Sequence, residues 1–430
     1  MNKFTEYSNT LLSEKYYKFI HESGLPIFVY PKERQSSCAI FATEFGSINN
    51  RFYDINTGKL IDLPDGIAHF MEHKMFDNEN GDNVDDIFSR LGADPNAYTS
   101  WDHTAYFFTC TSGESFYEGL DKLLSFVSSP YFTEESVAKE QGIIGQEIAM
   151  CEDDPYDRCF LEMVRGLYEK NPVRADVVGS VDSIAQITPA LLYQCHERFY
   201  KPCNMALIVC GDVEAERVLM VTDKHISASS DKTDTRTILP KERIMAYKRR
   251  VTQKMAVERP MFCIGFKDSK APTDPYGRRK RQILTEILIG VIFSSSGELY
   301  SSLFKKNLMT TPFNYGEEYG KSYALGYVGG ECDDVELLFG EIKKYIKKIK
   351  KNGIKKEDFE RRKKIIFSSD IKMYDSTWEI ASALLDSYLS ETDLFDDPEL
   401  LKSLTLEEAN DLLKELICEK RTTYSVVLPN

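Results

Sequence analysis

The sequence lacks the cysteine patterns that would indicate a disulfide framework or a cysteine-bound metal. Its ten cysteines are scattered over 430 residues, and none of them forms a CxxC pair. In a chain of this size, such cysteines are typical of small buried apolar residues in a reducing compartment. We therefore expect reduced cysteines and a location in the cytoplasm.

Long apolar runs and an excess of positive charge are also lacking. The N-terminal stretch MNKFTEYSNTLLSEKYYKF has no apolar core of signal-peptide length, so we expect no export signal. The longest apolar pieces, such as residues 287–293, fall short of the roughly 18 to 20 residues that a membrane span needs. The net charge of −14 would repel nucleic acid and anionic membranes, so neither is expected as a partner.

The chain is expected to consist of two homologous domains. ISASSDKTDTR, which begins at residue 226, is rich in Ser, Thr and Asp and lacks apolar periodicity, as is typical of a linker. Both halves contain a charged helix start, then paired isoleucines, then an acidic residue next to an isoleucine. We therefore predict a first domain over 1–225, a linker over 226–245 and a second domain over 246–430.

Local patterns predict the α+β class. SCAIFATEFGS, AYFFTCTS and MALIVCGDV are typical of strands, whereas residues 116–127 and 135–151 follow helical periodicity. Strict βαβ alternation is lacking, which favours an antiparallel sheet with helices packed on one face in each domain. Thr188 and Thr405 precede helical segments and are predicted to be N-caps.

The lysine-rich run KKYIKKIKKNGIKK has two interpretations. Such a run could form a nucleic-acid interface. However, Ile342, Ile346 and Ile349 lie on one face of a helix, and Gly353 suits the end of that helix. In a chain with a net charge of −14, we favour the solvated face of an ordinary amphipathic helix.

The segment LPDGIAHFMEHKMF contains the residues that can carry chemistry. His69 and His73 are four residues apart, so on a helix both imidazoles leave the same face and can bind one ion. Glu72 lies on that face too, where it can act as a base for a water molecule beside a catalytic zinc. The alternative is that both histidines are ordinary core or surface residues. That alternative fits poorly, because the whole chain has only six histidines.

The order HxxEH, the reverse of HExxH, defines the inverzincins, and it requires a third, acidic ligand from another helix. EQGIIGQEIAM offers two candidates, Glu140 and Glu147. They lie two helical turns apart on one face, separated by about 10 Å, so both cannot bind one ion directly. We predict that Glu147 is the ligand and that Glu140 supports a ligand or contacts the substrate.

These motifs resemble the M16 metallopeptidases, a family that includes insulin-degrading enzyme, pitrilysin and the mitochondrial processing peptidase. The resemblance rests on HxxEH, on the E(x)6E pair and on GADPNAYTSWDHTAYF. PVRADVVGSVDSIAQIT and FYKPCNMALIVCGDV also match, so the resemblance covers the first half closely and the second half in outline. It implies two homologous α+β domains, each an antiparallel sheet with helices on one face, that enclose a substrate chamber.

The resemblance also implies roles for individual residues. Zinc would be bound by His69, His73 and Glu147, and Glu72 would be the base that activates water.

The family's substrate-binding strand corresponds to Asn96, Ala97 and Tyr98, which would bind the substrate backbone by strand addition. The alternative for residues 96–100 is a turn that runs into a strand. Beside an intact metal motif we favour substrate binding. His103 follows in the same segment without a motif role and is expected to be structural.

The second half departs from the family's pattern. M16 second halves carry an Arg and, seven residues later, a Tyr, which hold the substrate and stabilise the reacting carbonyl. Here Phe304 stands where the Arg is expected, and Tyr315 is displaced from the Tyr position. Either Lys305, Lys306 or Tyr315 fills the role within this chain, or a partner supplies the pair. In length and wording the chain resembles the bacterial YmfH-like subgroup, in which such a chain pairs with a related, usually inactive, one.

We therefore expect a zinc-dependent endopeptidase that cleaves peptides or unfolded segments. It would be the catalytic half of a heterodimer with a related M16 chain that carries the Arg/Tyr pair, or else a homodimer. One rival function is a non-catalytic M16-like scaffold or chaperone-like subunit, but such chains usually have a broken HxxEH. Another is a structural zinc site, which usually has four Cys or His ligands and no free glutamate beside them.

Overall fold

The described residues fold around two mixed β-sheets of seven and five strands, beside a separate two-stranded sheet. The computed structural model describes residues 4–54, 57–79, 81, 83–111, 113–228 and 235–430. Within these residues the strands, in chain order, are β1 Thr5–Asn9, β2 Glu14–Ile20, β3 Pro26–Pro31, β4 Ser36–Thr43, β5 Arg51–Tyr53, β6 Leu60–Asp62, β7 Ala93–Thr99, β8 Thr104–Thr111, β9 Met205–Gly211, β10 Arg250–Met255, β11 Met261–Lys267, β12 Asn314–Tyr319, β13 Ala324–Glu331 and β14 Thr422–Pro429.

The two sheets share one topology. The first has the order β1-β2-β3-β9-β4-β8-β7, and the second has the order β10-β14-β11-β13-β12. Within the first sheet β3 and β9 are parallel, and within the second β10 and β14 are parallel; the other neighbours are antiparallel. Without β1 and β2, the orders and directions match strand for strand. This match confirms the two homologous α+β domains that the repeated pattern predicts.

The helices carry the apolar faces that cover the sheets. In chain order they are α1 Ile67–Lys74, α2 Val84–Arg90, α3 Glu114–Ser128, α4 Glu134–Asp153, α5 Pro155–Leu167, α6 Val181–Ile184, α7 Pro189–Phe199, α8 Ala215–His225, α9 Pro275–Phe293, α10 Glu298–Lys305, α11 Val335–Asn352, α12 Lys356–Met373, α13 Thr377–Ser390, α14 Asp397–Ser403 and α15 Leu406–Leu416.

Several local predictions are confirmed. The three predicted strands are β4, β8 and β9, and the two predicted helices are α3 and α4. Thr188 caps α7 and Thr405 caps α15, each by accepting a hydrogen bond from a backbone N–H three residues later. The lysine-rich run lies largely on α11, which buries Ile342 and has Gly353 as its C-cap. Its lysines therefore belong to an amphipathic helix, as expected.

Each sheet is covered on one face by helices of its own half. In the first half, α1, α3, α4, α7 and α8 enclose a core with one face of the first sheet. In the second half, α9, α11, α12 and α15 do the same for the second sheet. Helix α3 illustrates why a helix covers the sheet with one face. Its buried residues recur at helical spacing, at Phe116, Leu120, Leu124 and Val127.

The other face of each sheet is covered by a helix from the opposite half. Helix α13 packs on the first sheet, where Ile380, Leu384 and Leu385 are buried among residues of β3, β4 and β9. Helix α5 packs on the second sheet, where Met163 and Leu167 are buried among residues of β11 and β14. The two halves therefore exchange one helix each, an arrangement that the sequence patterns do not indicate.

The predicted linker joins α8 to β10. Its described residues, in 226–228 and 235–245, form neither helix nor strand. Glu242 anchors the linker by accepting hydrogen bonds from the backbone N–H groups of residues 169–171, in the loop after α5, and from the Lys267 ammonium on β11. Although burial opposes ionisation, these backbone hydrogen bonds and the lysine charge lower the pKa of Glu242 to about 2. The boundaries at 226 and 245 themselves stay a prediction.

The most apolar helical segment lies in the second core. By length and composition alone, the segment Pro275–Lys305 could cross a membrane. From the sequence we expected no segment of this kind. Half of its most apolar window is buried inside the protein. The segment is also broken between α9 and α10, and α9 buries residues such as Ile287, Leu288 and Ile292 in the second core. These contacts are those of a core helix.

Candidate metal centre and active site

Helix α1 begins at a tight contact with the loop before α6. Gly66 precedes the helix with a positive φ of 88°, and a Cβ there would lie 2.6 Å from the carbonyl oxygen of Val178. A residue with a side chain would have to move that loop, so glycine suits the position. The apolar residues Ile67, Phe70 and Met71 then bury one side of the helix in the first core. This packing fixes the direction in which the polar residues of α1 project.

The two histidines of HxxEH lie side by side on α1. The ring centroids of His69 and His73 are 4.6 Å apart, as the four-residue spacing requires. His69 and Glu72 are buried, and His73 is half-buried. The prediction that these three side chains share one helix face agrees with their positions.

Helix α4 brings the acidic residues to the histidines. Thr133 and Ser136 form a capping box that fixes its start. Glu147 lies 3.5 Å from Nε2 of His69 and 3.6 Å from Nε2 of His73. Glu140, two turns earlier, accepts a hydrogen bond of 3.0 Å from Nδ1 of His73. The two glutamates thus contact different atoms of the histidines, as the two-turn separation predicted.

His69, His73 and Glu147 can together hold a metal ion. Their ligand atoms all lie within 4.8 Å of one another. A tetrahedral zinc with bonds of about 2.0 to 2.1 Å places neighbouring ligand atoms about 3.3 to 3.4 Å apart. The distance from Oε1 of Glu147 to Nε2 of His69, 3.5 Å, and that from Oε2 of Glu147 to Nε2 of His73, 3.6 Å, are close to that value. Three protein ligands leave one position open, which is typical of catalytic rather than structural zinc sites.

Charges at this centre favour an ionised carboxylate beside each histidine. The hydrogen bond with His69 lowers the pKa of Glu147, against the opposing effect of burial. Burial raises the pKa of Glu140, but the hydrogen bond and the charge of His73 outweigh it, so that the pKa is lowered. The same hydrogen bond raises the pKa of His73. A proton therefore competes with a metal for His73, and metal binding should release it.

Glu72 is held by a residue of the neighbouring sheet. Oγ1 of Thr99, the last residue of β7, donates a hydrogen bond of 2.6 Å to Oε2 of Glu72. Thr99 was not among the residues predicted to belong to the site. Its position three residues after Asn96, inside the motif shared with the family, was the available signal.

The predicted substrate-binding residues lie on an edge strand. Strand β7 ends the order of the first sheet, with β8 as its neighbour. Asn96 is exposed, Ala97 packs against the first core, and Tyr98 lies on the opposite face. An edge strand presents backbone groups to which an extended peptide can add. The interpretation of residues 96–100 as a turn does not fit, because β7 extends to Thr99.

A cavity of about 410 Å³ adjoins the end of β7. Thr99, which contacts Glu72, lines it, and so does Cys151, one helical turn after Glu147. Phe160 from α5 forms part of the apolar wall, and Glu318 from β12 belongs to the second half. Burial raises the pKa of Glu318 to about 7. The cavity therefore lies beside the metal centre, at the junction of the halves.

The other residues singled out in the sequence lie outside this centre. His103 is buried and contacts the Asp102 carboxylate at 2.8 Å and the Tyr98 hydroxyl at 3.3 Å, as suits a structural residue. Phe304 is 53% exposed on α10. Tyr315 lies on β12, with its hydroxyl 3.5 Å from Nη1 of Arg362. The contacts of Tyr315 are thus with the second half.

Known sequences match both halves of the chain. Residues 52–180 match the family "Insulinase (Peptidase family M16)", and residues 186–366 match "Peptidase M16 inactive domain". The zinc protease YmfH of Bacillus subtilis (strain 168) is 34% identical over 97% of this chain and 97% of its own length. The chain belongs to the M16 family. Within it, the similarity to YmfH supports the YmfH-like subgroup.

Solved structures of the family have the same fold. An M16-like peptidase from Alicyclobacillus acidocaldarius has a TM-score of 0.90 and 29% identity, covering 100% of this chain and 99% of that chain. The periplasmic protease PqqL from Escherichia coli has a TM-score of 0.75 and 18% identity, covering all of this chain but only 48% of that chain. PqqL thus contains this fold within about half of its chain.

Proposed function

We propose that the chain is a zinc-dependent endopeptidase that hydrolyses peptides or unfolded segments. The observation that carries this proposal is the convergence of His69, His73 and Glu147 on one point, with Glu72 beside them and an edge strand alongside. An intact set of ligands, a base and a peptide-binding edge has little use in a scaffold protein. The description of residues 186–366 as inactive concerns a region that contains none of these residues.

In this proposal, His69, His73 and Glu147 hold the zinc, and Glu140 orients His73 through Nδ1. When bound, zinc polarises the scissile carbonyl and lowers the pKa of a water molecule to near neutrality. Glu72 takes the proton from the attacking water and passes it to the leaving amine.

Substrate binding would follow from the edge strand and the cavity. A peptide that adds to β7 is held mainly through its backbone, which gives affinity without strict sequence choice. One of its side chains could enter the cavity between Thr99 and Phe160, beside the metal centre. Strand addition requires an extended substrate, so we propose peptides and unfolded segments rather than folded proteins.

We further propose that the chain works with a partner. Phe304 is not a hydrogen-bond donor, and Tyr315 and Lys306 make their contacts within the second half, to Arg362 and Glu341. A related M16 chain could supply the missing Arg/Tyr pair, or a second copy of this chain could close the chamber. The length of PqqL, about twice that of this chain, supports an assembly of two such units. We propose a cytoplasmic location, which cell fractionation would test.

The decisive test of the peptidase is Glu72→Gln. The variant should keep its zinc but lose about 10² to 10⁴-fold in hydrolysis of an internally quenched peptide, because the base is gone. Zinc content by mass spectrometry and a matched change at the exposed Glu118 serve as controls. Turnover close to that of the unchanged chain would contradict the role of Glu72 and favour a non-catalytic protein.

The partner is tested separately, by assaying a chain that light scattering has shown to be a monomer. We expect weak hydrolysis that rises about 10² to 10³-fold when a related chain with the Arg/Tyr pair is added, the contribution of one electrophilic group. Full activity of the monomer would contradict the need for a partner, while leaving the peptidase proposal intact.

A further inference from the structure

The hydroxyl of Thr99 forms a hydrogen bond with the carboxylate of Glu72. Its Oγ1 lies 2.6 Å from Oε2 of Glu72 and 3.3 Å from Oγ1 of Thr104. The hydroxyl of Thr104 is fully buried and donates its proton to the carbonyl oxygen of Phe45 at 2.8 Å. An ionised carboxylate can only accept, and hydrogen bonds to charged groups are the stronger ones. Thr99 therefore donates its single proton to Glu72.

This hydrogen bond makes the two oxygens of Glu72 unequal. One lone pair of Oε2 accepts from the Thr99 hydroxyl, whereas no side chain of the described residues donates to Oε1, so Oε1 is the oxygen more open to a water molecule. The carboxylate is also buried, which limits the number of orientations that it can adopt. One hydroxyl thus sets both the rotation of the carboxylate and the oxygen that accepts the proton.

The same residue belongs to the strand proposed to bind the substrate. Alternation along β7 places Ala97 and Thr99 toward α1, and Asn96 and Tyr98 on the other face. A peptide added to the edge of β7 would be aligned with the residue that holds Glu72. The position of the base is thereby tied to the position of the peptide bond to be cleaved.

We infer that Thr99 is a positioning residue, which holds Oε2 of Glu72 and directs Oε1 toward the water that attacks the peptide. This inference rests on the proposed peptidase function. It gives Thr99 no part in zinc binding and no direct contact with the reacting atoms.

Thr99→Val tests the inference because valine keeps the shape and removes the hydroxyl. With an internally quenched unstructured peptide, kcat should fall about tenfold to a hundredfold, the value of one hydrogen bond to a charged group, while KM stays within about twofold. Thr99→Ser should restore kcat to within about threefold. Zinc content should be unchanged in both variants. An unchanged kcat, or a loss of zinc, would overturn the inference.

Two controls separate positioning from a general loss of packing. Thr222→Val removes a buried hydroxyl that donates to a carbonyl within α8, and it should leave kcat unchanged. The double variant Thr99→Val/Glu72→Gln should be no slower than Glu72→Gln alone, since Thr99 acts only through Glu72. A further loss in the double variant would contradict the inference.

A measurement without substrate keeps the inference testable even if the chain hydrolyses nothing. In urea unfolding at neutral pH, the effects of Thr99→Val and Glu72→Ala, which removes the acceptor, on the unfolding equilibrium constant should be non-additive by about tenfold. Additive effects would show that the hydrogen bond is not made. Absence of hydrolysis by the unchanged chain with its partner would instead contradict the proposed function.

Discussion

The two halves of the molecule place different side chains on the same framework. Gln141 on α4 donates to two backbone carbonyl oxygens near the end of α6, at 3.2 and 3.1 Å. Lys363 on α12 makes the same pair of contacts at the end of α14, at 3.0 and 2.9 Å. These matching contacts align α4 with α12, so the residues around them can be compared one by one.

Beside the candidate metal centre, the two halves carry residues of opposite charge at matching positions. One residue before Gln141 stands Glu140, which bonds to His73 on α1. One residue before Lys363 stands Arg362, whose guanidinium lies 3.2 Å from the carboxylate of Glu286 on α9. Glu140, an acid beside the basic candidate ligand His73, thus corresponds to Arg362, a base that neutralises the acid Glu286.

The neighbouring pair matches as well. Glu72 bonds to Thr99, at the end of β7. Thr285, which precedes Glu286, lies 2.7 Å from the hydroxyl of Tyr319, at the end of β12. Each half therefore holds a polar cluster at the same place in the shared framework. The side chains of a cluster decide whether it can bind a metal. In the second half, Arg362 supplies the positive charge.

The largest expected effect disrupts the candidate metal centre of the first half. Glu147→Gln removes a charged ligand and should weaken zinc binding more than 100-fold, beyond the range typical of residues that only support a ligand. Its counterpart by the same alignment, Ser369, is exposed, so Ser369→Ala should leave zinc affinity unchanged. Zinc affinity measured by competition with a chelator checks both, and an equal effect of the two changes would contradict the ligand assignment.

A second prediction compares the supporting residues. Glu140→Gln should weaken zinc binding about 10 to 100-fold, because a neutral amide oxygen replaces the charged acceptor that orients His73. Arg362→Gln should not change zinc binding, but it should destabilise the fold by about 1 to 3 kcal/mol, because Glu286 loses its partner. Chelator competition and urea unfolding separate the two effects. Loss of zinc in the Arg362 variant would show that the halves are coupled at this point.

A third prediction tests the helix exchange. At Gly166 on α5, a Cβ would overlap the methyl group of Thr423 on β14, so Gly166→Ala should destabilise the fold by about 2 kcal/mol. The matched control is Gly142→Ala on α4, where a Cβ would meet nothing within 4 Å. It should stabilise the fold by about 0.5 to 1 kcal/mol. Urea unfolding measures both, and a stabilising change at Gly166 would contradict the close packing of α5.

The smallest expected effect concerns the linker at Glu242. Its pKa is lowered to about 2 in the folded chain, so its contribution to stability is present above the ordinary glutamate pKa and is lost as the pH falls toward 2. Allowing for solvent screening, Glu242→Gln should cost about 1 kcal/mol at neutral pH and clearly less near pH 3. The exposed Glu258 provides a control. A cost that does not change with pH would show that the charge is unimportant.

The candidate site could be predicted from the sequence because its signals are local. The four-residue spacing of the histidines and the seven-residue spacing of Glu140 and Glu147 each place side chains on one helix face, whatever the surroundings. Thr99 needed the fold, since its contact with Glu72 joins a strand end to a helix. The repeated pattern also misleads at one position. The acidic residue next to an isoleucine is Glu147 in the first half and Asp370 in the second, and the contacts of α4 and α12 place these two one residue out of register.

The fold class could be predicted, but the exchange of α5 and α13 could not. The apolar residues of α5, such as Met163 and Leu167, show that one face of the helix is buried. Such a pattern does not say which sheet covers that face. Both sheets offer apolar residues of similar size, so the choice depends on how the whole chain is connected.

The exchange has a consequence for the chain as it leaves the ribosome. The first sheet is complete once β9 has been made, at Gly211, but the helix that covers its second face ends about 180 residues later, at Ser390. At translation rates of about 5 to 20 residues per second, about 10 to 40 s pass before the helix that covers that face has been made. Phe28, Ile40 and Ile208 are exposed during this interval. Until α13 has been made, the nascent protein therefore presents an apolar surface that chaperones can recognise.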